Sequence, residues 1–463
     1  MSLTNTFLGA ACVGTLLQSR KRLWFIGIGG VQTSALALFC RQKGYVTAGS
    51  DLCANAAVKQ LRTQGVPVFI GHHPSRVAEF DAVIYTLAIP EDDPEYLAAI
   101  ALGIPVLSRA DLLGFLVSRF PVRIGVSGSH GKSTVTAMLD AIFTKAARDP
   151  TTFCGAVLPL GASAHFGEGA ECIFEACEYG DSFLCLAPTV AVVLNTELDH
   201  TDFFPSEAAL LASFQRFASG AEVVICEAEN EEMLRACPLS RTFGIKKGDC
   251  HAEDLKYVGG RGEFSLVLDG KLLGRVRLAV PGEHNVKNAL AAALCAAVCG
   301  ISPDVIAGAL SAFEGAARRM SERGFLRGAR FFDDYAHHPT EIRASLAAAR
   351  QITPDTGRVF AIFQPHTFTR TKAFFDDFCK ELRAADRVIV ADIYPARETD
   401  TLGMSAALLA KGIGERACFV GGNANIARTL LAEIAPGDTV VVMGAGDIDR
   451  LFGQICANHF TLS

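Results

Sequence analysis

Residues 125–136 read GVSGSHGKSTVT, and this stretch decides how the chain around it must fold. An apolar strand runs into a turn built from small residues, and Lys132 and Ser133 then open a helix-like segment. The pattern suits a phosphate cradle. Small residues let backbone N–H groups approach phosphate oxygens, the lysine meets the terminal phosphates, and the serine hydroxyl can ligate Mg²⁺. The strict spacing G-x-x-x-x-G-K-[ST] would place its first glycine at Val126, whereas the glycines stand at Gly128 and Gly131, so the loop is a variant. The plain alternative is a strand-to-helix turn with an exposed lysine. The G-K-S ending after an apolar strand favours a nucleoside triphosphate held by Gly128, Ser129, His130, Gly131, Lys132, Ser133 and Thr134.

Upstream, residues 22–30 (RLWFIGIGG), 31–44 (VQTSALALFCRQKG) and 45–51 (YVTAGSD) read as strand, helix and strand. Glycines lie at the first turn, including Gly29 and Gly30, and an acid, Asp51, follows the second strand. The unit is Rossmann-like, but Gln32 stands where the third glycine of G-x-G-x-x-G belongs, which leaves both NAD and a UDP-sugar open. Short strands at 80–89 and 104–108 continue the alternation. Pro121 restarts the chain before the strand that feeds the phosphate turn. The middle segment holds AECIFEACEY (170–179), VAVVLNTELDHTDFF (190–204), a hairpin-like stretch at 262–280 and a helical run after residue 282. FEGAARRMSERG (313–324) marks the next boundary, and β-rich runs at 329–339, 358–366, 386–395 and 438–447 end in polar residues. The expected fold is α/β, in three consecutive α/β domains. These are a Rossmann-like N-terminal domain (1–120), a P-loop-type central ATPase domain (121–316) and a Rossmann-like C-terminal domain (317–463).

The 463 residues are too many for one core, and half are hydrophobic. Net charge is −6 with no basic run, which argues against nucleic acid as a partner. Fifteen cysteines without a regular framework read as thiols of a reducing cytosol, so the expected location is cytoplasmic. With no CxxC pair, no zinc-type cluster is expected. Residues 7–17 (FLGAACVGTLL) resemble the apolar part of a signal peptide, yet Arg20, Lys21 and Arg22 follow it rather than precede it. A short helix is the better reading. No apolar run approaches the length of a membrane span, so no membrane partner is expected.

Two features of the middle segment point to metal. Glu175 ends one apolar strand, and His200 follows another, and a carboxylate suits a hard cation such as Mg²⁺ better than an imidazole does. In the third segment stand His337 and His338, adjacent and so facing opposite ways, and His366 with Arg370 in FQPHTFTR. An arginine in a turn after a buried strand suggests an anion. Asp333 and Asp334 could cap the next turn or orient a base.

GSHGKST, FEACEY with NTELDH, GEHNVKNALAA, DDYAHHPTEI and FQPHTFTRT, in this order, closely resemble the Mur ligase family across nearly the whole chain. Within that family the late motifs favour the member that joins L-alanine to UDP-N-acetylmuramate. The resemblance implies ATP and Mg²⁺ as cofactors, with Lys132 and Ser133 on the β/γ-phosphates and Ser133, Glu175 and His200 as magnesium ligands. It places His284 and Asn288 near adenine and Arg319 near the phosphates. Gly29, Gly30, Asp51, His72 and Arg109 become candidates for the UDP-sugar. Tyr335, His337, His366 and Arg370 become candidates for the amino acid, and Lys132, Glu175, His200, His337 and Arg370 for catalysis. The sequence departs from the family at Gln32, at Thr367, where many members carry arginine, and at FEACEY in place of the commoner EADES. The implied reaction is amide formation through an acyl-phosphate in peptidoglycan precursor synthesis, with closure of the last domain excluding water. A related ligase attaching a recycled murein tripeptide to the same sugar is the nearest rival, and a nucleotide-dependent oxidoreductase is the rival of another class.

Overall fold

A computed structural model describes residues 3–158, 161–396, 398 and 401–457 of the chain. The fold is α/β throughout, and its chain contacts divide into two compact units. The first comprises Met1–Glu197, Glu207–Thr242 and Leu294–Ile301, and the second Leu198–Ser206, Phe243–Ala293 and Ser302–Ser463.

The first unit opens with the helix Gly9–Leu17, which buries Val13 and Leu17, as the apolar run without preceding charge suggested. Its first sheet contains β1 (Arg22–Ile26), β2 (Val46–Asp51), β3 (Val68–Ile70), β4 (Ala82–Tyr85) and β5 (Val106–Ser108). The order is β3-β2-β1-β4-β5 and every pairing is parallel. This arrangement belongs to the doubly wound α/β folds, which gather ligands at the carboxyl ends of their strands. Trp24, Ile26, Ala48 and Val83 fill one side of the sheet.

The second sheet of this unit contains β6 (Val122–Ser127), β7 (Thr151–Phe153), β8 (Ala164–Phe166), β9 (Glu171–Glu175), β10 (Val190–Val193) and β11 (Val223–Glu227). Parallel β9 and β10 flank β6, the strand that feeds the phosphate turn. The carboxyl ends of these two strands therefore lie beside that turn by construction.

β12 (Arg241–Gly244), which begins in the first unit and ends in the second, leads into a meander of β13 (Cys250–Val258), β14 (Arg261–Leu268) and β15 (Lys271–Pro281) in the second. A third sheet follows, made of β16 (Ser321–Leu326), β17 (Ala329–Asp334), β18 (Val359–Phe363), β19 (Arg387–Val390), β20 (Ala417–Phe419) and β21 (Thr439–Met443), in the order β16-β17-β21-β18-β19-β20. Only its edge pair β16–β17 is antiparallel among the pairings described. Buried on both faces, β18 sends Val359, Ala361 and Phe363 to one core and Phe360 and Ile362 to the other. This period-two division makes a continuous apolar run the signature of a central parallel strand. No helix among the described residues is long and apolar enough to cross a membrane.

Candidate active site

The phosphate turn joins β6 to the helix Lys132–Lys145. Gly128 has φ +136, and a Cβ there would lie 2.9 Å from the Leu194 Cβ, so the position requires glycine. Gly131, at φ +86, is the left-handed residue that opens the helix. The turn is clasped by the segment after β10. His130 N–H donates to Asn195 Oδ1 at 2.8 Å, Asn195 Nδ2 returns a bond to His130 O at 3.1 Å, and Ser129 Oγ donates to Glu197 O at 2.5 Å.

Lys132 folds back over this turn. Its ammonium donates to Gly128 O at 2.5 Å and pairs with Glu178 Oε2 at 2.9 Å. Burial opposes the charge, but Glu178, Cys177 and Glu175 hold the ammonium well above the ordinary lysine range. Ser133 Oγ donates to Glu175 Oε2 at 2.7 Å, and that oxygen also accepts from Gly155 N–H at 2.8 Å. A Cβ on Gly155 would fall 2.7 Å from both Glu175 oxygens, so the bend after β7 passes tightly behind the carboxylate. Thr134 is buried in the first helical turn. Ser133 and Glu175 present a hydroxyl and a carboxylate side by side, a donor set that fits Mg²⁺. Sequence reasoning missed the role of Glu178, although it lies within FEACEY, and missed Asn195 altogether.

At the first sheet, Gly27–Gly30 forms the turn after β1, with Gly30 N–H on Gly27 O at 3.2 Å. Asp51 Oδ2 accepts the Gly29 N–H at 2.9 Å and Oδ1 accepts Cys53 N–H at 3.0 Å, so the carboxylate holds the glycine turn in place. His72 is partly exposed, 3.5 Å from Asp93. The following turn is fixed by Glu95, a fully buried carboxylate absent from the sequence-derived candidates. It accepts from Trp24 Nε1 at 3.0 Å, Ser50 Oγ at 2.5 Å and His73 N–H at 2.6 Å. Arg109 begins the helix Arg109–Val117. Burial lowers its guanidinium, against the opposing pull of Cys177, Cys185 and Glu175.

The N-terminal segment bridges these two layers. Thr6 N–H and Leu8 N–H donate to Asp111 at 3.1 and 2.9 Å, Thr6 Oγ1 donates to the same carboxylate at 2.6 Å, and Asn5 Nδ2 donates to Gly180 O at 2.7 Å. Asp111→Ala removes the acceptor of these part-buried donors and of the buried Ser108 Oγ, at a cost of about 1–3 kcal/mol for the latter and less for each of the others. A drop in thermal midpoint with faster amide exchange at residues 6–8 is the expected result, checked by hydrogen-exchange mass spectrometry.

The second unit collects the remaining candidates. His337 Nδ1 lies 3.2 Å from Glu341 Oε2, and its ring is 6.1 Å from His366 and 5.5 Å from Tyr335. His338 caps the helix Pro339–Ile352 and lies with its Nε2 3.2 Å from Leu198 O. His366 stacks on Tyr394 at 5.6 Å and contacts Arg370 Nη1 at 3.3 Å. Arg370 is itself buried and engaged, because Nε and Nη2 donate to Asp199 Oδ1 at 3.1 and 2.7 Å. Burial acts against Asp199's charge, yet His200, Arg370, His337 and His338 keep it well below the carboxylate range. His200, at φ +51, belongs to the same Leu198–Ser206 stretch. The next helix is capped by His338 and not by Asp333 or Asp334. Asp334 accepts from Ser345 Oγ, and Asp333 faces Arg318 and Arg323.

His284 lies within the electrostatic reach of Arg319 and Glu341, and its Nδ1 is buried with no hydrogen-bond partner among the described residues. Such an orphaned polar atom is suited to a ligand. Arg319 sits 5.1 Å over the Tyr335 ring, and Asn288 donates to Asn285 at 3.2 Å.

Burial, with His337 and Arg370 adding to it, pushes His366 down to about 3, and burial with Arg319 pushes His284 down to about 4. Both rings are therefore neutral in the fold at neutral pH. Because each folded value lies below the unfolded one of about 6.5, the unfolded chain binds more protons under acid. The stability contributed by each neutral ring is full above pH ~6.5 and is lost as pH falls toward the folded value. His366→Gln should flatten the pH dependence of the urea midpoint between pH ~6.5 and ~4 by up to one proton.

Known proteins match this architecture along its length. The "Mur ligase family, catalytic domain" model matches residues 22–121, the "Mur ligase middle domain" 126–296 and the "Mur ligase, glutamate ligase domain" 318–446. A UDP-N-acetylmuramate–L-alanine ligase of Caldicellulosiruptor bescii is 39% identical over 93% of this chain and 97% of its own. The ligase of the same name from Acetivibrio thermocellus is 37% identical over 93% and 94%. The crystal structure of UDP-N-acetylmuramate-alanine ligase from Thermotoga maritima superposes with TM-score 0.82 at 26% identity, covering 94% of this chain and 98% of that one. A murein peptide ligase of Psychrobacter arcticus shares the fold, with TM-score 0.74 at 22% identity over 95% and 100% of the two chains.

Proposed function

Because the chain belongs to the Mur ligase family, we propose that it joins L-alanine to the lactyl carboxylate of UDP-N-acetylmuramate at the expense of ATP, in peptidoglycan precursor synthesis. The observation that carries this reading is the phosphate turn, whose lysine and serine each rest on a carboxylate from FEACEY. An oxidoreductase would leave Lys132, Ser133 and Glu175 without a task. We divide the labour among domains 1–120, 121–316 and 317–463.

In this reading the lactyl carboxylate attacks the γ-phosphoryl group, ADP leaves, and the alanine amine displaces phosphate from the acyl-phosphate. Carboxylate and triphosphate repel each other, so cationic positioning supplies most of the catalysis. Lys132 exchanges its loop carbonyls and Glu178 for phosphate oxygens. Ser133 and Glu175 would hold Mg²⁺, which neutralises phosphate charge when bound, and His200 is a further candidate ligand. Gly29, Gly30, Asp51, His72 and Arg109 are assigned to the UDP-sugar. Asp51 acts there by keeping the glycine turn open, and Arg109 by its charge near Glu175. His284, Asn288 and Arg319 are assigned to the nucleotide. Tyr335, His337, His366 and Arg370 are assigned to the amino acid. His337, oriented by Glu341, accepts the amine proton, whereas His366 is too weak a base at neutral pH to do so.

ADP release with UDP-N-acetylmuramate and a panel of L-alanine, glycine, L-serine and the murein tripeptide tests the proposal. L-alanine should give the highest kcat/KM, exceeding glycine by about 10–200-fold for one methyl group. Turnover with the tripeptide but not with L-alanine would overturn it in favour of the rival ligase.

A further inference from the structure

We infer that the first unit carries a second ligand site, for a small phosphorylated aromatic molecule, in a 430 Å³ cavity at the amino-terminal ends of its two sheets. Phe39, Tyr45, Leu116 and Phe120 form its apolar surface, and Lys21, Lys43 and Arg119 contribute positive charge. The volume lies within the range that holds small organic ligands.

The position separates this cavity from the nucleotide turn. Lys21 immediately precedes β1, Phe120 and Pro121 precede β6, and Gly167–Gly169 precedes β9. The glycine turn and the phosphate turn lie at the opposite, carboxyl ends of β1 and β6. A six-residue strand is ~20 Å long, so one ligand of this size cannot span both ends.

The cations are arranged for an anion. Lys21 Nζ lies 4.9 Å from the Tyr45 ring centroid, Lys43 Nζ 5.1 Å from Phe39, and the Arg119 guanidinium 4.6 Å from Phe115. A ring face attracts a cation without neutralising it, so three positive charges face one acid in the lining, Glu168. In a chain of net charge −6 this is a local inversion of sign that favours phosphate or carboxylate. The wall at Gly167–Gly169 is fixed, since a Cβ on Gly169 would fall 2.0 Å from Arg148 O.

The aromatic floor joins the two sheets. Phe39 belongs to the first sheet's helix and packs edge-on against Phe153 at 5.3 Å, with Phe166 at 5.2 Å and Phe120 at 6.4 Å. A ring inserted beside Phe39 therefore touches the layers of both sheets and braces their junction.

Fluorine NMR of para-fluorophenyl phosphate with the full chain tests the site. Broadening that saturates at millimolar concentration or below is expected. The double reversal Lys43→Glu with Arg119→Glu, at two exposed positions, should weaken it at least about tenfold with the circular dichroism spectrum unchanged, whereas Lys132→Ala should leave it as it is. Leu116→Trp, which fills the cavity without changing charge, provides a second route to the same loss. Absence of binding to the unmodified chain overturns the proposal. So does unchanged affinity in both cavity variants, loss in Lys132→Ala, or inorganic phosphate that displaces the ester at equal concentration.

Discussion

Lys132→Ala is expected to lower kcat for ATP-dependent ligation by at least about 10²–10³-fold, the loss seen when one preorganised charge is removed from a developing anion. The same substitution also acts on the fold, because Lys132 supplies the ammonium facing Glu178, which is 1% exposed. Breaking one side of a buried pair costs about 3–5 kcal/mol, so the melting temperature should fall along with activity. A second change separates the two effects. In Lys132→Ala with Glu178→Gln, no buried carboxylate is left facing a missing cation, and most of the thermal loss should be recovered while kcat stays at the level of the single variant. Differential scanning calorimetry with phosphate-release kinetics reads both quantities. Activity that returns together with stability would show that Lys132 only props the turn, and would remove it from the chemistry. Glu178→Gln alone should bind ATP at least as well as the parent, since the nucleotide no longer competes with a carboxylate for the lysine.

The phosphate turn was legible because its meaning lies in adjacent residues. Glycines at Gly128 and Gly131, an apolar strand before them and Lys132–Ser133 after them are local signals. Parallel pairing of β6 with β9 and β10 then placed Glu175 without further information. The long, fully buried strands of the third sheet were legible for the same reason. Strand β3, Val68–Ile70, was not, and neither was β13, whose exposed charged residues Glu253, Asp254 and Lys256 give it no apolar run. Glu95 escaped notice because nothing in PEDDPEYL distinguishes a carboxylate that will accept from Trp24, Ser50 and His73 from one facing water. Asn195 escaped because its bond to His130 spans 65 positions. Asp51 was found by pattern. Its task includes holding Gly29, where a Cβ would lie 2.8 Å from Asp51 Oδ2.

The pair Asp199–Arg370, 171 positions apart, lies beyond the reach of sequence reading and sets the second large effect. Sequence alone made Arg370 an open anion site, with extra weight because Thr367 replaces an arginine common in the family. In the structure the Arg370 guanidinium is committed to Asp199, with His366 3.3 Å from its remaining nitrogen. Arg370→Ala leaves Asp199 buried beside three histidines but without its guanidinium, and should cost about 3–5 kcal/mol of stability. Asp199→Asn has the opposite electrostatic consequence, since it releases the guanidinium for another anion. If Arg370 also receives the amino-acid carboxylate, Arg370→Ala should raise KM for L-alanine at least about tenfold, while Asp199→Asn lowers it or leaves it unchanged despite reduced stability. If the arginine only fastens the Leu198–Ser206 stretch, both variants should raise KM together, and the double variant should restore it. Because Asp199 is held far below its unfolded value, its contribution is present above pH ~4 and disappears as the solution is acidified further. Asp199→Asn should therefore lose that part of the acid sensitivity while retaining the part that begins near pH ~6.5, which belongs to His366 and His284. Urea midpoints across that pH range, read beside steady-state kinetics, decide between an arginine that binds substrate and one that only holds a loop.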